Sequence, residues 1–257
     1  MSKKHAVIPD GQVQPDTPLD HWLWAGEYIA EKKPDVIVNI GDFADMRSLG
    51  LYDVGKKSYE GRTYREDIEV AHYAMNLFMA PSNQESKRLN NNKKAQWNPR
   101  LVLTLGNHEN RIDRAIEADR KLEGTISIND LQYESFGWEV IPYLQPIVLD
   151  GIAYCHYFTS GAMGRPVSSA RAMTIKKHMS CTMGHNPATE IDMSQVRGDG
   201  KPLIGLWAGV FYQHDEDYLG PQGNPVHRQI WIKNEVEDGF YYVLPVSMEY
   251  LRKTYGR

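Results

Sequence analysis

Cysteine is scarce in this chain: only Cys155 and Cys181 occur in 257 residues. Two thiols cannot build a disulfide framework or an all-sulfur zinc site, and both sit in apolar strand-like runs, so they read as reduced core residues. A surplus of positive charge is absent as well, since 29 Lys and Arg stand against 33 Asp and Glu, a formal net charge of -4. That balance speaks against a surface built to attract nucleic acid or anionic lipid, although a local basic patch stays open. No apolar run is long enough to cross a bilayer. The start, Met1-Ser2-Lys3-Lys4-His5, leads straight into a strand-like stretch without the hydrophobic segment of a secretory leader. A cytoplasmic protein without membrane contact is expected. Repeats and a composition-marked linker are also missing, so residues 1–257 read as a single domain.

What is present is an alternation of short apolar runs and helical spacing. His5-Ala6-Val7-Ile8-Pro9 reads as a buried strand ending at Asp10-Gly11. A helix over Leu19 to Lys33 follows, with Asp16 or Thr17 as its expected cap and Pro18 in the first turn. Val36 to Ile40 is a second strand ending at Gly41-Asp42, and Tyr64 to Met79 has helical spacing. The polar stretch Ser82 to Asn98, with its run Asn90-Asn91-Asn92-Lys93-Lys94, is expected to be solvated loop or a frayed helix end. Arg100 to Leu105 is a third strand, ending at Gly106-Asn107-His108, with a helix over Asn110 to Leu122 behind it. Ile147 to Phe158 and Lys177 to Met183 read as further strands, and the last third alternates in short strand-like pieces. Strand–helix alternation followed by consecutive strands predicts an α/β fold with two mixed sheets packed as a sandwich and helices outside.

Three times a buried strand runs into a loop that opens with metal-binding side chains: Asp10, Asp42 and Asn107-His108. Parallel strands deliver such loops to one edge of a sheet, where open α/β proteins bind ligands. Two later apolar runs carry His156 and His185. Carboxylate, amide and imidazole together suit Mn, Fe or Zn better than an all-oxygen calcium site.

Gly41-Asp42-Phe43-Ala44-Asp45 resembles the GDxxD element of the calcineurin-like metallophosphoesterases, and Gly106-Asn107-His108-Glu109 resembles their GNH(D/E) element. Asp10 stands where that family's opening DxH has its aspartate, His156 at its isolated strand histidine, and Gly184-His185 at the start of its closing GHxH. The resemblance implies a four-layer sandwich and two divalent metal ions, manganese first, with iron, zinc, magnesium or nickel as alternatives. It implies that Asp42 bridges the two ions, that Asn107, His156 and His185 complete the second site, and that Asp10 holds the first. His108 would protonate the leaving oxygen or stabilise phosphoryl charge, while Asp45 and Glu109 would stand behind the ligands and fix their orientation.

Two positions depart from the family pattern. Gln12 replaces the histidine of DxH, and Pro187 replaces the second histidine of GHxH. Both losses fall on the first metal site. Gln12 can ligate through its amide oxygen, a harder and weaker donor than imidazole, so a looser first site preferring Mn or Mg over Zn is expected. His214 is either a replacement ligand or a surface residue. His5, His21, His72, His178 and His227 read as structural or solvated.

Arg47 and Arg111, a few residues beyond the metal motifs, either reach a substrate phosphate or pair with nearby carboxylates. The turn-rich segment from Thr159 to Lys177 either walls the active site or is an ordinary connection. The activity implied is hydrolysis of a phosphate ester, a diester ahead of a monoester, as in small relatives of which some are encoded by phages. Nucleic acid remains open as a substrate. A scaffold that kept the fold but lost the activity is the rival from another class.

Overall fold

The first strand shows how the sequence sorts its side chains. In β1 (Lys3–Ile8), Ala6 and Ile8 pack toward helices, whereas Val7 faces a second sheet. Successive strand residues point to opposite faces, and a strand buried on both must be apolar throughout. The chain then runs α1 (Asp20–Lys32), β2 (Val36–Asn39), α2 (Tyr64–Asn91), β3 (Arg100–Thr104), α3 (Arg111–Ala118) and β4 (Glu139–Ile141). Next come β5 (Ile147–Leu149), β6 (Ile152–Tyr154), β7 (Thr159–Ser160), β8 (Arg165–Pro166), α4 (Ala170–Lys177) and β9 (Ser180–Met183). The chain closes with β10 (Thr189–Val196), β11 (Pro202–Ala208), α5 (Gly220–Gly223), β12 (Gln229–Glu237), β13 (Phe240–Ser247) and α6 (Met248–Tyr255). The structure, a computed structural model, describes residues 2–51, 54–216, 220–224 and 226–256.

Two mixed sheets form a sandwich. One has strand order β13-β12-β1-β2-β3-β4, with β1, β2, β3 and β4 parallel. The other has order β10-β11-β9-β6-β5, with β6, β9 and β11 parallel. Val7, Val38, Val102 and Trp231 of the first sheet meet Ile152, Tyr154, Ile204 and Leu206 of the second. Helices α1, α2 and α6 cover the outer face of the first sheet, and α4 packs on the outer face of the second through Ala170 and Met173. This is the α/β, four-layer arrangement expected from the sequence.

Several local expectations need correction. Neither Asp16 nor Thr17 caps α1: the Thr17 hydroxyl donates to the Gln14 carbonyl, and Leu19 holds the cap position without a side-chain bond. Helix α2 does not stop near Met79 but continues through Pro81 to Asn91. Its second half is polar because it faces water, with Leu89 buried and Glu85 paired to both Arg88 and Lys33. Gly26 makes room for this path, since a Cβ there would collide with the Phe78 carbonyl. The apolar run from Ile147 to Phe158 is a hairpin, not one strand, because Asp150 (φ 48°) and Gly151 (φ 83°) turn the chain back. Lys177 ends α4, and His178 caps that helix in a left-handed conformation instead of starting a strand. Among the described residues, no helix is long and apolar enough to cross a membrane.

Lys233 of β12 lies wholly buried between the sheets. Its Nζ donates to the Thr182 and Tyr154 hydroxyls and sits 4.4 and 4.3 Å from the Tyr154 and Tyr241 ring centres. Burial drives its pKa well below the ordinary lysine value. The folded protein therefore binds fewer protons at this residue than the unfolded chain, and stability rises with pH up to the unfolded lysine pKa of about 10.4. Lys233→Met leaves the Tyr154 hydroxyl its contact with His5. The substitution is expected to raise the melting temperature at pH 7, with a gain that shrinks toward pH 10. A gain that is constant with pH, measured by calorimetry, would contradict this.

Candidate metal centre

The C-terminal ends of β1, β2 and β3 in one sheet and of β6 and β9 in the other deliver Asp10, Asp42, Asn107, His156 and His185 to one edge of the sandwich. The backbone there is unusual. Gln12, Asp42 and His185 have φ of 39°, 50° and 66°, a region that non-glycine residues seldom adopt. Residues held this way cluster where side chains must be aimed. Gly106 and Gly184 serve instead by lacking a side chain. A Cβ on Gly106 would collide with the Asp42 carboxylate, and one on Gly184 with that of Asp10.

Four donor groups converge. The His156 Nε2 lies 3.2 Å from Asp42 Oδ2 and 2.9 Å from Asn107 Oδ1, while His185 Nδ1 lies 2.7 Å from the same Asn107 oxygen. The ligating atoms of Asp42, His156 and His185 all fall within 4.8 Å of one another. The other nitrogen of His156, Nδ1, is 3.0 Å from the Ile40 carbonyl, so it donates there and turns Nε2 toward the cluster. Asp10 adjoins this group, both of its oxygens accepting from the His185 backbone N–H at 3.1 and 2.8 Å.

The charges of these groups fit a cation. Burial raises Asp42, but the His108 and His156 imidazoles outweigh it and hold this carboxyl well below the usual range. Burial lifts Asp10 to about 8, with the Asp42 charge adding to the push and His156 opposing it. Burial also lowers His156, yet Asp42 and then Asp10 overcome it and bring the imidazole to about 9. His185 is pulled down to about 4 by burial and by the His156 charge, which keeps it the neutral imidazole a metal requires. Carboxylate, amide oxygen and two imidazoles are the donor set of a transition-metal site. Gln12 adds an independent sign: its side-chain Oε1 is buried without a hydrogen-bond partner, while its backbone N–H donates to the Asp42 carbonyl at 2.7 Å. A buried amide oxygen left alone is costly unless something electropositive meets it.

The remaining residues surround this centre. His108 presents Nδ1 to Asp45 Oδ1 at 2.5 Å and Nε2 to Arg111 Nη2 at 3.2 Å, with Nε2 3.7 Å from Asp42 Oδ2. Burial disfavours its charged form and Arg111 does too, but Asp42 and Asp45 prevail and raise its pKa. Arg111 is held by Asp45, donating to its carbonyl at 2.6 Å and its carboxylate at 3.1 Å. Arg47 turns to Asp16 at 3.1 Å. His214 pairs with Glu216 at 2.7 Å and stacks on Tyr212. Pro187 brings no side-chain donor.

Glu109 is fully buried and points into the backbone. Its carboxylate accepts from the N–H groups of Asp42, Ala44 and Gly106 at 3.0, 3.0 and 2.9 Å, and from the Tyr133 hydroxyl at 3.3 Å. It thus ties the loop after β2 to the loop after β3. Sequence reasoning missed Tyr133, and also Tyr157, whose ring lies 4.6 Å from that of His185; neither carries a local signal, because both contacts are made by the fold. Glu109→Gln replaces one acceptor oxygen with a donor facing backbone N–H groups. Hydrogen bonds to a charged group contribute about 1.5–3 kcal/mol each, so this variant is expected to lose about 2–3 kcal/mol of stability, measured by urea unfolding. Unchanged stability would show that the brace is dispensable.

A scan against protein-family models finds no match, and a search of curated proteins finds no similar sequence. Among solved structures, the chain is similar to a conserved uncharacterized protein from Streptococcus pneumoniae described as a predicted phosphoesterase. The two share 11% identity over 97% of this chain and 91% of that one, with a TM-score of 0.39.

Proposed function

We propose that this protein is a metallophosphoesterase that hydrolyses phosphodiesters with two divalent metal ions, manganese foremost. The observation that carries this reading is the meeting of Asp42, Asn107, His156 and His185 donor atoms around one point, with His108 beside them. The motif resemblance of the GDxxD and GNHE loops supports it. Asp42 is assigned as the shared ligand, Asn107, His156 and His185 as the tighter site, and Asp10 with Gln12 as the looser one. When bound, such ions supply a nucleophilic hydroxide at neutral pH and neutralise phosphoryl oxygens.

The chain's own groups do the rest. His108, held by Asp45 and kept protonated by two carboxylates, donates a proton from Nε2 to the leaving oxygen. Arg111, fixed by Asp45, keeps a guanidinium edge at the phosphate position. Glu109 holds the two ligand loops in register.

In assays with added Mn, bis(p-nitrophenyl) phosphate is expected to be cleaved faster than p-nitrophenyl phosphate or single-stranded DNA. General acid catalysis contributes about 10²–10⁴-fold, so His108→Ala is expected to lower kcat by that amount without loss of bound metal. Asp42→Ala is expected to abolish both binding and turnover. Metal-dependent turnover unaffected by Asp42→Ala would defeat the site assignment, and no turnover of any ester would favour the scaffold reading.

Proton release offers a second test. Below pH 9 the centre carries a proton on His156, and a divalent ion must displace it. Apparent Mn affinity is therefore expected to rise with pH between pH 6 and 8, by about tenfold per pH unit where His156 alone releases a proton and more steeply where Asp10 releases one too. Calorimetry in buffers of different ionisation enthalpy reads the proton count directly. Affinity independent of pH would mean that Mn binds elsewhere.

A further inference from the structure

A cavity of about 200 Å³ opens beside Asn107. One side is a face of α3, where Arg111, Arg114, Ala115 and Ala118 recur at helical spacing; the other is formed by Leu49, Leu51 and Tyr59. Tyr59 is fixed by donating from its hydroxyl to the Ser48 carbonyl at 2.6 Å. The two alanines create the space. Pockets for drug-sized ligands measure about 300–1,000 Å³, so this one admits a group the size of a single ring. Its walls combine the apolar Leu49, Leu51, Tyr59 and two alanines with Ser48 and the two arginines, and Asn107, a proposed metal ligand, is part of the lining.

The two arginines differ. Arg111 is anchored through Nη1, which donates to the Asp45 carbonyl and carboxylate. The Arg114 side chain has no hydrogen-bond or ion-pair partner among the described residues, although it lines the same cavity. A free guanidinium fork at the rim of an apolar slot matches a planar anionic group. The described lining includes Asn107, a proposed metal ligand, but not His108, so the cavity adjoins the metal donors more directly than the group that protonates the leaving oxygen.

We infer that this cavity receives the ester arm that stays on phosphorus, and that it selects a ring-sized apolar arm carrying a negative charge, which Arg114 binds. The inference rests on the phosphodiesterase reading above. It assigns Arg114, Ala115 and Ala118 as residues that determine specificity.

The test uses three p-nitrophenyl phosphodiesters with the same leaving group and different arms: methyl, phenyl and 4-carboxyphenyl. With the Mn-loaded enzyme, kcat/KM is expected to rise in that order. Ala118→Leu is expected to lower the phenyl-to-methyl ratio by about tenfold, the scale of discrimination in a filled apolar pocket. Arg114→Ala, at an exposed position, is expected to bring the carboxyphenyl ester down to the phenyl level, a change in ratio that partial misfolding cannot mimic. Equal kcat/KM for the three arms, or variants that lower all three alike, would overturn the subsite while leaving the phosphodiesterase reading intact. No release of p-nitrophenolate from any of the three would instead overturn that reading, and the subsite with it.

Discussion

A carboxylate taken out of water has to be met by positive charge, and the centre of this molecule is built around that demand. Asp42 is 1% exposed, and what faces it is the imidazole of His156 at 3.2 Å, the more distant imidazole of His108 and the His108 backbone N–H. Asp10, also 1% exposed, lies close enough for the two charges to repel. Leaving an ionised carboxylate buried and unpaired costs several kcal/mol. Protons on His156 and Asp10 relieve the imbalance, but a divalent cation among the same donors relieves it more completely. The perturbed pKa values and the proposed metal site are thus two descriptions of one excess of buried negative charge.

Such a centre works only if its loops stay where the strands deliver them. Beside the cluster lies an apolar floor: the Trp22 ring packs 4.6 Å from Phe43 and 5.5 Å from Phe211, and Phe43 follows Asp42 directly in the chain. Glu109 then fastens the Asp42 and Gly106 backbones to each other. Asp45 orients His108 and Arg111 together. Three acidic residues of the two motifs thus serve different purposes, one facing the cluster and two holding the structure that aims it.

The layered fold was legible because buried parallel strands leave continuous apolar runs and the helices between them leave a 3.6-residue period. The loops bearing Asp10, Asp42 and Asn107 were legible for the same reason, each following such a run. Errors arose where tertiary contacts override local pattern. The solvent-facing half of α2 looked like a loop or a frayed helix end because its polar residues answer to water, and Pro81 hid its continuity. The β5–β6 hairpin looked like one strand because both arms are apolar, although Asp150-Gly151 is a turn signal in plain view. Of the two readings left open for Arg47, the structure has the ion pair, with Asp16, but nothing local foretold that Tyr133 would donate to Glu109 or that Arg114 would line a cavity beside Asn107.

The two halves of the proposed centre are unequal. One gathers two imidazoles, an amide oxygen and the Asp42 carboxylate; the other has Asp10, the isolated Gln12 oxygen and no side-chain donor from Pro187. Anomalous diffraction from crystals soaked in Mn tests this most directly. A strong peak is expected within bonding distance of Asp42, Asn107, His156 and His185, with a weaker one beside Asp10 and Gln12 that shares Asp42. Manganese peaks elsewhere, with none touching Asp42, would contradict the assignment of this centre.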